Sequence, residues 1–339
     1  MMNLQQALDQ LRYGSLETRL RAIKRLEQLV EPASLLPLIE TLDDLEQEVR
    51  AEAAKALVLF ADQQPVPKLV KLLQDHYWQV RANAASTLGQ LGDKAACPAL
   101  RQLVEKNWRS SLLYEYQHQA LVKAVIALGQ LKDQCATPLL IKILKKGYRG
   151  TTSDLSLELR RAAAHSLGQL ENAQALEALF ELLHEGECQE MREIALCTIS
   201  HFKNEASFKK LLRAVKRHFP EEPHQIWLRQ KAAALALGKM RKVEVVPHLL
   251  PLADNPSPEV RIALAQALGE LGEKSSSQAV LLRLTRDRVD QVRLAAVRAI
   301  RQLGLEGVSR ELEAIRADPN PQVVAEVESF LKRNLQGLD

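Results

Sequence analysis

Self-similarity constrains this chain more than any other feature. Five segments end on one pattern: STLGQL at Leu91, VIALGQL at Leu131, HSLGQL at Leu170, LALGKM at Met240 and QALGEL at Leu271. An apolar–Arg pair usually stands eight residues before the glycine, or nine in one case. Val49-Arg50, Val80-Arg81, Leu159-Arg160, Met191-Arg192, Leu228-Arg229, Val260-Arg261 and Val292-Arg293 are clear, and Thr18-Arg19 and Val323-Val324 are weaker versions at the ends. From Val260 the apolar residues Val260, Ala263, Leu264, Ala267, Leu268 and Leu271 follow i, i+3, i+4 steps, which predicts an amphipathic helix. A shorter helix follows in each repeat (CPALRQLV, TPLLIKIL, VPHLLPLA), with Pro37, Pro67, Pro98, Pro138 and Pro247 in its first turn, where a missing N–H costs no intrahelical bond. Each repeat therefore reads as a short helix A, a loop and a longer helix B. About ten repeats predict about twenty helices.

The mid-helix glycines need a physical reason, since each costs about 1 kcal/mol against alanine. Alanine-rich faces such as RANAAS and RRAAAHS supply one: small residues let stacked helices approach closely and share a continuous core. The same packing explains why aromatic residues make up only 4% of the chain. A single repeat cannot bury its apolar face alone. The expectation is an all-α, right-handed α-solenoid forming one domain over residues 1–339.

The repeated V-R-x-x-A-A-x-x-L-G-x-L register resembles the HEAT-like repeats of the phycobilisome (bilin) lyase type, and the resemblance covers nearly the whole chain. It implies about ten HEAT-like helix pairs. It also implies a protein partner, such as a phycobiliprotein or a second HEAT-like subunit. As an alternative it implies a bilin lyase, or one subunit of one, that attaches an open-chain tetrapyrrole to a client cysteine. In that case a bilin is the ligand. Otherwise no cofactor is expected.

The repeat arginines at 19, 50, 81, 160, 192, 261 and 293 are read as structural. Asp75, Asp254 and Asp287 lie six or seven residues before their arginines, and Asp43 and Asp44 precede Arg50. The expectation is an Asp–Arg ladder along the stack that also caps the starts of helix B.

Three of the repeat steps are long by about seven to nine residues, and the extra residues fall before helix B. The insertions are EKNWRSSLLYEYQHQ (105–119), KKGYRGTTSDLS (145–156) and KRHFPEEPHQIW (216–227). Every Tyr and Trp lies in a loop of this class or at the start of the following helix: Tyr13, Tyr77, Trp78, Trp108, Tyr114, Tyr116, Tyr148 and Trp227. Rings with an apolar body and a polar tip dominate the centres of binding surfaces. Tyr77, Trp78, Trp108, Arg109, Tyr114, Tyr116, His118, Tyr148, Arg149 and Trp227 are therefore the candidates for contact with a partner or ligand. Tyr114, His118, Leu121, Val125 and Leu128 share one helical face, so part of the first insertion can extend helix B upstream and turn Tyr114 and His118 toward a groove. Under the lyase reading, the rings stack on the tetrapyrrole, Arg109 or Arg149 pairs with its propionates and His118 moves a proton.

Other chemistry finds little support. The insertions carry net charges of about 0, +2 and 0, a poor footprint for phosphate backbones, so nucleic acid is not an expected partner. Repeated His-Glu pairs of the HEAT-like di-iron hydroxylases are missing, since only His184-Glu185 occurs. No Ser-His-Asp signature, phosphate loop or H-E-x-x-H is present, and no catalytic or metal residue is assigned. Cys97, Cys135, Cys188 and Cys197 form no C-x-x-C pair and read as reduced core thiols, which implies a cytoplasmic protein. The segment MMNLQQALDQLRYG lacks the features of a signal peptide, and the longest apolar stretch, Ala56 to Ala61, is too short to span a bilayer. The reading favoured overall is a non-catalytic protein–protein interaction scaffold.

Overall fold

A computed structural model of the chain describes residues 3–108, 115–146, 154–183, 189–216 and 223–336. It divides into two compact units, Met1–Leu170 and Glu171–Asp339, each described by itself. Among the described residues there are twenty α-helices and no strand.

In the first unit the helix pairs are α1 (Leu4–Tyr13) with α2 (Leu16–Leu29), α3 (Leu35–Thr41) with α4 (Gln47–Ala56), α5 (Val66–Leu72) with α6 (Trp78–Leu91), α7 (Cys97–Asn107) with α8 (Glu115–Gln130), and α9 (Thr137–Lys146) with α10 (Asp154–Leu170). In the second unit they are α11 (Ala175–Glu181) with α12 (Gln189–Ile199), α13 (Glu205–Lys216) with α14 (Pro223–Met240), α15 (Val246–Leu249) with α16 (Pro258–Leu271), α17 (Ser275–Leu284) with α18 (Asp290–Leu303), and α19 (Ser309–Glu313) with α20 (Pro321–Gln336). Odd numbers are the short A helices and even numbers the B helices. Ten pairs is the number the repeat phase predicts. Pro67, Pro98, Pro138 and Pro247 each stand second in their A helix, and Pro37 third in α3.

Within each unit, successive B helices pack along their lengths. A Cβ built on Gly89 of α6 would lie 2.8 Å from Cα of Ala127 in α8. One on Gly238 of α14 would lie 2.7 Å from Cα of Ala267 in α16. Gly129 meets Ser166 and Gly269 meets Ala299 in the same way. The glycines thus trade helix propensity for backbone contact. The contact is reinforced where Thr87 Oγ1 donates to the Ala54 carbonyl at 2.7 Å and Ser166 Oγ to that of Val125 at 2.8 Å.

The ladder is present, with a register that differs from the expected one. Arg19, Arg50, Arg261 and Arg293 each grip the aspartate of the next helix pair, not their own. Arg50 Nε and Nη2 donate to the two carboxylate oxygens of Asp75 at 2.9 and 3.1 Å. Its Nη1 donates to the carbonyls of Asp44 and Leu45 in its own A–B turn. Arg261 holds Asp287 at 2.7 and 2.9 Å, and Arg293 holds Asp318 at 2.6 and 2.9 Å, again bidentate. Arg19 reaches Asp44 at 3.2 Å. The aspartates do not cap helix B. Each accepts instead the N–H two residues on, from Glu46, Tyr77, Val289 or Asn320, which tightens the turn ahead of the helix.

Asp254 is not a rung. It pairs with Arg283 on the surface, and Asn255 takes the turn position, accepting from Ser257 N–H. Its partner in the preceding pair is Gln230, not Arg229, at 2.8 Å, so this rung is neutral. Gln230 stands eight residues before Gly238, the same place in its helix as Arg81 before Gly89 and Arg261 before Gly269.

Part of each insertion is helical. B helices of ordinary repeats begin three residues before the anchor position, the one held by the repeat arginine; α8 and α10 begin six before it, at Leu121 (eight residues before Gly129) and Arg160. About one turn of each insertion is therefore helical, as the face through His118 predicts for the first. A helix α7 is also longer than α3 or α5.

Two outcomes follow. Gly238→Ala adds a good helix former, yet the contact with Ala267 should make it about 1–3 kcal/mol less stable in urea unfolding. The hydrogen bond from Arg293 holds the Asp318 carboxyl below its ordinary value. A depressed carboxyl contributes stability above the unfolded value of about 3.9, and loses it as pH falls through the folded value. Asp318→Asn should therefore cost roughly 2 kcal/mol at pH 7, and the difference from the parent should vanish in strong acid.

Candidate functional site

The ladder ties successive A–B turns of the first unit side by side, so residues in those turns form one edge. Tyr13 closes α1, Leu45 lies in the turn before α4, and Tyr77 is the residue just before α6. They are 80%, 94% and 47% exposed. Trp78 opens α6 and is half-buried. Trp108 follows α7 in the next turn, also half-buried, and its backbone N–H donates to the Val104 carbonyl at 2.9 Å. The Arg50 guanidinium sits 5.9 Å from the Tyr77 ring centre, so the ring packs on a ladder arginine while its other side stays open.

The remaining candidates are placed differently. His118 lies in α8 and is 6% exposed, inside the first unit and not on its edge. Tyr116 is in the first turn of α8. Arg109, Tyr114, Tyr148 and Arg149 lie outside the described residues. Trp227 belongs to the second unit, in the second turn of α14, half-buried. Near it a cleft of about 160 Å³ is lined by Phe180, Ile226 and Arg229, where Arg229 stacks 5.6 Å over Phe180 and bonds Glu177 at 3.1 Å.

Leu45 is an edge residue that aromatic counting missed. A second is found between the third and fourth helix pairs. A cleft of about 370 Å³ opens there, lined by Leu73 and Asp75 beside α5, Arg81 of α6, Lys106 of α7 and Leu121 of α8. Arg81 Nη1 donates to the carbonyls of Asp75 and His76 at 2.6 and 2.9 Å, as a ladder arginine should. Burial pushes its guanidinium below the usual value, and Asp75 only partly offsets this. The signal was in the spacing. Arg19 and Arg50 find aspartates twenty-five residues on, and at that distance from Arg81 stands Lys106.

Among the described residues, no group of three or more His, Cys, Asp and Glu is placed to hold a metal, and no helix is long and apolar enough to cross a membrane. The cysteines correct one expectation. Cys97 is buried, but Cys135 and Cys197 are exposed and so are not core thiols; all three are free. Cys188 lies outside the described residues. Burial, with the nearby Asp133 carboxylate, raises the Cys97 thiol above its ordinary value. Maleimide labelling of the native chain should therefore modify Cys135 and Cys197 quickly and Cys97 only after unfolding; equal rates would contradict this burial.

Residues 35–115 and 246–332 match the HEAT repeats family, and residues 120–146 match the PBS lyase HEAT-like repeat. A curated relative, phycocyanobilin lyase subunit alpha of Pseudanabaena tenuis (strain PCC 7409), is 33% identical over 122 residues. The match spans 34% of this chain and 43% of that protein, less than half the length of either. Among solved structures, the chain resembles Kap121p bound to Nup53p at 14% identity and a TM-score of 0.62, over 96% of this chain and 40% of that one. The complex of CpcE and CpcF of phycocyanin lyase from Nostoc sp. PCC7120 aligns at 19% identity over 90% of this chain and 94% of that one, with a TM-score of 0.42.

Proposed function

The chain is a HEAT-repeat protein, and on that premise we propose that it is an interaction scaffold, binding another protein along the A–B edge of its first unit. The observation that carries this is the run of exposed apolar side chains Tyr13, Leu45 and Tyr77 in successive turns. Monomeric proteins seldom leave such residues in a row without a partner for them. The rings and the arginines beside them are the residue types that concentrate binding energy. The candidate partners are a phycobiliprotein or a second HEAT-like subunit, and the compartment is the cytoplasm, where the exposed Cys135 and Cys197 remain thiols.

Pull-down from source cells tests this reading. Leu45→Ser and Tyr77→Ala touch exposed side chains and should change stability by less than about 0.5 kcal/mol. Each should weaken capture of the partner roughly tenfold. Partners held equally by parent and double variant would reject the edge.

The identity to a phycocyanobilin lyase subunit favours a second reading, in which the chain, alone or with another subunit, attaches a bilin to a client cysteine. That reaction needs binding, orientation and proton handling more than a protein nucleophile. Mixing the chain with phycocyanobilin should then shift the visible absorption of the bilin, and Trp108→Ala should reduce the shift. An unchanged spectrum with the chain in excess would reject this second reading and leave the scaffold standing.

A further inference from the structure

Arg19, Arg50, Arg261 and Arg293 each end on the aspartate of the next helix pair. Arg81 makes the same bonds to its own turn but not the same bond forward. Its Nε and Nη2, the two atoms with which Arg50 grips Asp75, have no hydrogen-bond partner among the described residues, and the side chain lines the 370 Å³ cleft. Lys106 lines that cleft as a second cation. The one carboxylate in its lining, Asp75, is already held by Arg50 and by the Tyr77 N–H. The cleft therefore has the guanidinium geometry of a ladder rung, two positive charges, and apolar walls from Leu73, Leu103 and Leu121.

We propose that the cleft between the third and fourth helix pairs docks an aspartate or glutamate side chain of a partner protein, with Arg81 taking the carboxylate bidentately and Lys106 adding charge. A planar guanidinium presenting two parallel N–H groups is matched to a carboxylate. The ladder shows the same side chain doing this with polypeptide aspartates in both units. The walls suit the methylene stem of such a side chain. Gln74 and Asp75, in the turn that leads to Tyr77 and Trp78, line the site, so it deepens the scaffold reading and rests on it.

The test uses the full chain labelled with 15N-arginine and the blocked peptide acetyl-Gly-Asp-Gly-amide. The Arg81 Nε signal should move saturably with the aspartyl peptide and stay still with its asparagine counterpart at matched ionic strength. Arg81→Lys keeps the charge but not the fork, and should weaken the peptide at least about tenfold. Lys106→Asp, at an exposed position, places a carboxylate of the chain beside Arg81 and should abolish the shift. Circular dichroism checks that both variants fold. Equal response to the asparagine peptide, or no effect of Arg81→Lys, would overturn the site. Binding of free acetate as tight as the peptide would also overturn it, marking a site for small acids. A cellular partner that Arg81→Lys retains in full would remove this site while leaving the scaffold reading intact.

Discussion

Arg50 holds two successive A–B turns at once. One nitrogen bonds the carbonyls of its own turn while the other two grip Asp75 in the next, and Asp75 in turn orders the chain ahead of α6. Both charges are about a tenth exposed, so the pair sits where a lone charge would be costly and a bidentate one is well satisfied. The Arg–Asp bond recurs at the joints between the first and second, second and third, eighth and ninth, and ninth and tenth helix pairs. The close approach of Gly269 to Ala299 lies at one such joint, and the rungs of the first unit align its turns into an edge.

Two demands meet at each repeat. The B helices require small residues on their facing sides, so large rings are excluded from the stack. The turns have no such restriction, and the first unit places Tyr13, Leu45, Tyr77 and Trp78 there. The corresponding turns of the second unit carry Asn255-Pro256-Ser257, Asp287-Arg288-Val289 and Asp318-Pro319-Asn320 instead. The difference between the units lies in the surface their turns present and not in how their helices pack.

Much of the fold was legible because its determinants are local and periodic. The anchor positions locate all ten B helices, and the prolines mark five of the A helices. What escaped was register. An arginine six residues after an aspartate looks like its partner, yet the side chain reaches across to the next pair twenty-five residues on. At the seventh pair the apolar–Arg dipeptide Leu228-Arg229 stands one residue early, while the regular register, eight residues before Gly238, marks Gln230, the residue that meets the next turn. Leu45 was invisible for a different reason. A leucine beside a helical run reads as core until the turn geometry shows that it points outward. The Arg81 cleft was legible in principle, as a lysine standing where the spacing calls for an acid.

The neutral rung between Gln230 and Asn255 gives the second unit an uneven response to acid. Protonation empties the carboxylates at Asp287 and Asp318, but an amide pair has no proton to gain. The eighth, ninth and tenth helix pairs would lose their grip on one another first, and the joint between the seventh and eighth would persist. The loosening that acid brings thus ends at an uncharged joint.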